Sequence, residues 1–458
     1  MKQEIKRSML SLRSILFLAV MLRGLWGMVA FYFTRDASIF YSPDSASYVA
    51  LAKEMITLHH FSIHGIPELV RTPGYPLFLI PGLILGHLEW VTISLQILLS
   101  GWTLYLIYKT AFLFYQDKKT ALICAFLFAV EPLSILYSVK ILTETLFTFI
   151  LMAGIYGLVQ FLNHRSVKAL LFSSISFSLA TYIRPISYYL TWVIFVFLLF
   201  FWFLKCKRAK DLFCIFLFLL ISVGSTALWQ IRNNSETGYS GFSAITDINL
   251  YFYQGASILS IAQNRSYHEI QDSMGYHDQE IYYKSHPDQK FWNQGKIYQY
   301  LKKEGLKIVL EYPLRYFVIH LKGMFRVLWD PGTFEYLKML KIYPSSGGLL
   351  AEVVDQGIFK MARHIFLKQP RLFLLCLLMG VVPFLYFSLG VLGFFLKPHS
   401  PISGLLILTS SYFWALSGGP HAVSRFRHPI MPLIIIFAGQ GVSYLLERIK
   451  KKYCCDGS

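Results

Sequence analysis

Two carboxylates and five arginines stand out in this chain, because each falls in a short polar block beside an apolar run. Asp44 in YSPDSASY is a group of the kind that takes a proton from an attacking hydroxyl or amine, once that acceptor is within hydrogen-bonding reach, and Glu144 in LTETLF is a second acid beside an apolar run. Arg71 in VRTPGY, Arg184 in YIRPIS, Arg232 in WQIRNN, and Arg425 with Arg427 in SRFRHPIMP carry planar forks of donors that suit a phosphate. Each also has an ordinary structural reading. Asp44 can cap the helix that SASYVALAKEM begins, Glu144 can sit at a favourable helix N-terminus, and interfacial arginines snorkel as anchors. Glu144 is equally open to orienting an acceptor or holding a cation, and Arg184 to pairing with Glu144 or binding phosphate.

The elements that must position these groups lie in lipid. Of the 458 residues 55% are hydrophobic and 15% charged, with mean hydropathy +0.49, a composition that an ordinary soluble domain cannot carry. Apolar runs near the ~20 residues needed to cross a bilayer recur along the sequence, so helices rather than a barrel are implied. The expected fold is an all-α polytopic membrane protein of about ten spans. They run over 14–33, 91–114, 119–137, 144–162, 168–183, 187–204, 211–230, 372–396, 401–418 and 428–446.

The net charge of +18 gathers at their flanks, as at Lys205, Lys207, Arg208 and Lys210 or Arg448, Lys450, Lys451 and Lys452. The positive-inside rule makes these flanks and both termini cytoplasmic. Residues 34–90 and the segment 237–371 then lie outside. The first contains a proline-broken apolar stretch, PGYPLFLIPGLILG, expected to form a juxtamembrane helix. The second is too long for a bare loop and is expected to be a small helical external subdomain, in which YPLRYFVIHLKGMFRVLW is spaced as an interfacial helix. The chain divides into a catalytic module over 1–236, this subdomain, and C-terminal spans with a basic tail over 372–458. All of the candidate residues fall on the outer side.

Other chemistries find little support. The basic runs lack the interleaved aromatics of a nucleic-acid site. No spacing of His and Cys suggests zinc, and no glycine-rich segment has phosphate-loop spacing, although a divalent cation shared by Asp44 and Glu144 is left open. None of the six cysteines falls in the long outward segment, so no disulfide framework is expected; Cys454 and Cys455 beside the basic tail allow palmitoylation. Glu131 and Arg23 fall within spans, where ionisable groups mark transport pathways or internal pairs.

The order of blocks DSASYVALA, RTPGYPLFL, SILYSVKILTETLFTFIL, ATYIRP, WQIRN and SRFRHPIMPLIIIFAG resembles the lipid-carrier-dependent glycosyltransferases of the glycosyltransferase C superfamily, the group that includes protein O-mannosyltransferases and the aminoarabinose transferases of lipid A. The resemblance implies a polyprenyl-phosphate sugar donor used at the outer face of a membrane, here expected to be a bacterial inner membrane. It matches Asp44 to the acid of the first external loop, Glu144 to the acid of a Thr-Glu block, and Arg184, Arg425 and Arg427 to basic positions near the donor phosphate. Asp44 lacks the adjacent second acid of protein mannosyltransferases, and 237–370 matches nothing that names the acceptor, whether lipid, glycan or protein. The expected reaction is inverting transfer. A transporter or flippase of a lipid-linked sugar is the alternative, opposed by the lack of an internal repeat.

Overall fold

The structure is a computed structural model that describes residues 11–205, 207–343, 358–397 and 400–455. It is helical almost throughout, with one two-residue hairpin, β1 (Ser62–Ile63) against β2 (Ile66–Pro67), among the described residues. The first half runs α1 (Leu12–Thr34), α2 (Ser45–Thr57), α3 (Gly74–Ile84), α4 (Leu88–Tyr115), α5 (Lys118–Ala129), α6 (Pro132–Ser138), α7 (Glu144–His164), α8 (Val167–Ile183), α9 (Ser187–Lys205) and α10 (Ala209–Thr237).

Helix α7 is the axis of this bundle. It packs on α8 and α4, and nearly all of its side chains are buried, whereas α1 and α10 keep broad apolar faces outward. Such outward faces need lipid, and the chain is an integral membrane protein.

Among the described residues seven helices are long and apolar enough to cross a bilayer, or eight if α5 and α6 count as one span bent by 55°. The expected count of about ten is therefore reduced at three places. The 119–137 segment breaks where Pro132 cannot donate to the helix ladder and Glu131 caps the new start, accepting from Leu133 N and Ser134 N. Helices α8 and α20 (Pro401–Leu416, below) are apolar but only 17 and 16 residues long.

Arg23 is what makes the break at 130 tolerable. Its fully buried guanidinium donates to Phe128 O, Ala129 O, Ala19 O and the Ser100 hydroxyl, capping the carbonyls that the end of α5 leaves open. Both intramembrane charges thus hold backbone.

The segment after α10 is a run of short helices, α11 (Ile245–Ile248), α12 (Ala256–Gln263), α13 (Tyr267–Ser273) and α14 (Gln279–Ser285), then α15 (Gln294–Glu311), α16 (Pro313–Trp329) and α17 (Thr333–Met339). A small core of Tyr251, Phe252, Tyr282 and Leu301 holds its first part. Its last part joins the bundle, since Tyr336 packs on Trp26 and donates to Pro132 O at 2.6 Å. Helices α18 (Ile358–Lys368), α19 (Pro370–Leu396), α20 (Pro401–Leu416) and α21 (Met431–Cys455) follow, and α19 lies along α21. The two faces of α16 differ as expected: Leu314, Phe317 and Phe325 are exposed while Ile319, Gly323 and Val327 are buried.

Candidate active site

Asp44 closes the turn before α2 and takes the N-cap position, yet its carboxylate caps nothing. Ser45 fixes the turn instead, accepting from Ser42 N and donating to Ile141 O at 2.7 Å. Ile141 N in turn donates to Phe40 O. The Asp44 turn is therefore stapled to the 139–143 connection, three residues before Glu144.

Glu144 opens α7, fully buried. Arg184 stands at the end of α8, where Pro185 stops the helix, and reaches Glu144 Oε1 at 3.1 Å. Arg71 precedes α3 in a turn whose backbone N–H is held by Glu68 Oε1. Gly74 lets α3 start against the end of α8, since a Cβ there would meet Tyr182 O at 2.7 Å. That close approach brings Arg71 to the same side as Arg184.

Arg425 arrives from the other end of the chain, in a 3-10 turn over Ser424–Ile430. Three residues per turn put Arg425 and His428 on one face and send Arg427 elsewhere. The face meets α7 at positions one turn apart: Arg425 Nε donates to Glu144 Oε1, and His428 Nδ1 lies 2.9 Å from Thr148 Oγ1. The turn is clamped to α16 by Arg427 donating to Val327 O and Leu328 O, and by Arg326 donating to Pro420 O. Ser424 N donates to Asp330 Oδ2 just beyond α16.

The result is one alternating chain of charge, Arg71–Asp44–Arg425–Glu144–Arg184. Arg71 Nη2 lies 2.7 Å from Asp44 Oδ1 and Arg425 Nη1 2.6 Å from Asp44 Oδ2. The cluster is graded in exposure: the Asp44 side chain is 30% accessible and that of Glu144 is sealed. Tyr48 backs it, its ring 4.9 Å from the Arg71 guanidinium carbon. Burial by itself raises the Asp44 carboxyl, but the charges of Arg425 and Arg71 outweigh it and hold the group well below the usual carboxylate range.

Arg425 also lines a cavity of about 590 Å³. Its charged lining, besides Arg425, is Arg326, Asp330, Glu335 and Lys338. The rest is apolar and aromatic, from Trp329 and Phe334 to Phe373, Leu377 and Phe384 of α19.

Two of the candidate arginines are not part of this assembly. Arg232 donates to Phe61 O and Glu68 O, fastening the loop after α2 to the end of α10. Arg427 is buried on the carbonyls of α16. Neither guanidinium is turned to the cavity as a phosphate ligand, because each completes backbone that would otherwise be unsatisfied.

A divalent cation between Asp44 and Glu144 does not fit the donor set. Both oxygens of Asp44 and Oε1 of Glu144 already accept from arginine, and Arg425 occupies the place between them. No three His, Cys, Asp or Glu side chains converge among the described residues.

Residues 71–229 match the family model described as dolichyl-phosphate-mannose-protein mannosyltransferase. The whole fold is similar to archaeal oligosaccharyltransferase AglB from Archaeoglobus fulgidus, a structure holding an inhibitory peptide and a dolichol-phosphate. Identity is 14%, the TM-score is 0.52, and the match covers 97% of this chain and 51% of AglB. Over residues 71–229 the chain is thus similar to that mannosyltransferase family, and its fold is of the same kind as that of AglB. No curated protein sequence matches this chain, which spans about half the length of AglB. Its family match opens at Arg71 and contains Glu144 and Arg184; Asp44 and Arg425 come from either side of it.

Sequence reasoning passed over the wall contributed by 326–338 and α19. Nothing in the sequence ties that wall to Arg425, since the link is the backbone clamp between α16 and the 3-10 turn. His421, considered only for metal spacing, stands in an aromatic group with Tyr253 and lies 2.7 Å from the Tyr267 hydroxyl.

Proposed function

We propose that this chain is a membrane glycosyltransferase that moves a sugar from an isoprenoid-phosphate donor to a hydroxyl or amine of an envelope lipid, glycan or protein, inverting the anomeric carbon. The observation that carries this reading is Arg425, which belongs at once to the Asp44–Glu144 cluster and to the wall of a largely apolar cavity. An isoprenoid fits the apolar part, and its phosphate then lies against a guanidinium.

The groups present supply the steps of one displacement. The acceptor oxygen or nitrogen attacks the anomeric carbon as its bond to the phosphate oxygen breaks. The phosphate leaves with the bonding pair toward Arg425, and the acceptor proton passes to Asp44. Charge drawn to the phosphate is charge taken from Asp44, so donor binding strengthens the base. Glu144 is sealed and held by two guanidinium groups, which suits it to fixing Arg425 and Arg184 rather than to attacking carbon; a single displacement therefore inverts.

The site sits on the extracytoplasmic face in this reading. It lies at the start of α7 and the end of α8, while the other ends of these and neighbouring helices carry Arg165, Lys118, Lys119 and Lys205. Transport of the lipid-linked sugar loses its support, because Arg23 and Glu131 are occupied with backbone.

The test is transfer by purified protein from synthetic isoprenoid-phosphate sugars to envelope extracts, with the product's anomeric configuration read by NMR. An inverted glycoside is expected. A retained configuration removes the single displacement, and donor movement across vesicles with no transfer removes the reading itself.

A further inference from the structure

Helix α19 carries three glycines, and packing accounts for two of them. A Cβ at Gly393 would collide with Phe437 O and one at Gly390 would meet Ile434 Cγ2 at 3.2 Å, so both let α19 lie close along α21. Gly380 has no such neighbour: a Cβ there would have nothing within 4 Å. Gly24 and Gly224 are as uncrowded, but neither lines the cavity, and Gly380 does. Glycine is also the poorest helix former after proline, so the helix itself gives no reason for it.

The wall around Gly380 is one face of α19, on which Phe373, Cys376, Leu377, Gly380, Val381 and Phe384 recur at helical spacing. At ~1.5 Å of rise per residue this wall is about 16 Å long, with Gly380 roughly 10 Å from Phe373 and roughly 6 Å from Phe384 along the axis. Between the two phenylalanines the wall thus has one place with no side chain. A recess of that kind takes a branch. An isoprenoid carries methyl branches at regular intervals along its chain, whereas a straight hydrocarbon has nothing to put there, and apolar surface left uncovered forfeits its contacts.

We propose that Gly380 is the residue that fits this cavity to a methyl-branched isoprenoid carrier rather than to a straight hydrocarbon chain. This rests on the transferase reading above, which places the carrier in the cavity, and adds to it the residue that selects the carrier's chain. A larger side chain at 380 has open space for its Cβ and extends into the cavity, so it competes with the lipid and not with the fold. The structural alternative is that Gly380 serves the bend imposed by Pro383, three residues further on within the same helix. The two roles separate in stability: alanine at 380 strengthens a helix that needs no glycine and weakens one that does.

The experiment measures binding of a sugar-free polyprenyl phosphate and of a straight-chain alkyl phosphate of equal carbon number to the full-length protein in detergent, beside transfer from the corresponding sugar donors. The parent is expected to prefer the polyprenyl phosphate. Gly380→Leu is expected to weaken that ligand about tenfold, the low end of what one misfitted apolar group costs in a pocket, and to leave the straight chain within about threefold. The ratio of the two donor KM values should move with it. Gly380→Ala is expected to melt at or above the parent and to shift the ratio in the same direction by less; if Gly380→Leu does not fold, this variant carries the test. A parent with no preference, or variants in which the preference stays where it was, overturns the assignment while leaving transfer intact. A lower melting temperature in Gly380→Ala with the preference unmoved gives the glycine to the Pro383 bend and overturns it equally. A shifted preference in a protein that transfers no sugar keeps Gly380 as the selecting residue and removes the transferase reading.

Discussion

Arg425 Nη1 lies 2.6 Å from Asp44 Oδ2, a contact between residues 381 positions apart that joins the last connection of the chain to the first. The pairing fixes where a base would stand and keeps it ionised. Asp44→Asn preserves shape and one acceptor oxygen but cannot take a proton. Transfer by purified protein should fall by about 10²- to 10⁴-fold, with thermal melting and elution unchanged. Turnover within about threefold of the parent, a small fraction of that range, would take Asp44 out of the mechanism.

Arg184 shares Glu144 with Arg425, so its loss leaves the buried carboxylate with one partner rather than none. Arg184→Ala should fold and should chiefly raise the donor KM, by about tenfold, the scale of one charge-assisted contact. A donor concentration dependence identical to the parent's would leave Arg184 as a structural counter-ion alone.

Arg23→Met keeps the apolar stem and removes every donor from the end of α5. Four contacts to buried acceptors are lost. A destabilisation of about 3 kcal/mol or more is expected, with transfer per folded molecule unaltered. If stability holds and activity vanishes, the charge has a functional task and the transport reading regains its footing.

Arg232 and Arg184 show how far a sequence can be read here. Both stand near the end of an apolar helix, and although Pro185 marks the stop at Arg184, no local pattern tells what either guanidinium will meet. What differs is what the fold places opposite: carbonyls of the 58–70 loop for one, a buried carboxylate for the other. The helices themselves were legible, because hydropathy is a local property. The break near Pro132 was not, since hydropathy makes 119–137 one span although the proline stands in the sequence, and neither was the role of Arg23 in closing it. The meeting of Asp44 with Glu144 depends on Ser45 and Ile141, a link across 96 positions that no local pattern records. Arg427 misled for a geometric reason, since a helix with three residues per turn separates it from Arg425.

With Asp44 as the proposed base, the pH dependence of transfer follows from its ion pairs. Its folded pKa is depressed, so ion pairing stabilises the fold above the unfolded value, ~3.9, and the contribution is lost as pH falls through the lower folded one. The same displacement keeps the base ionised, so the acidic limb of kcat/KM for the parent protein should lie below pH ~4. Arg71→Gln removes one of the two guanidinium groups responsible while leaving Arg425 in place. The limb should then move upward, and the stability difference between pH 7 and pH 4 should shrink in the same variant. Rate profiles and melting curves over that range decide it: a limb that stays put in Arg71→Gln, or a parent limb above pH ~5 and so above the ordinary carboxylate value, means that the titrating base is not an aspartate held down by its arginines.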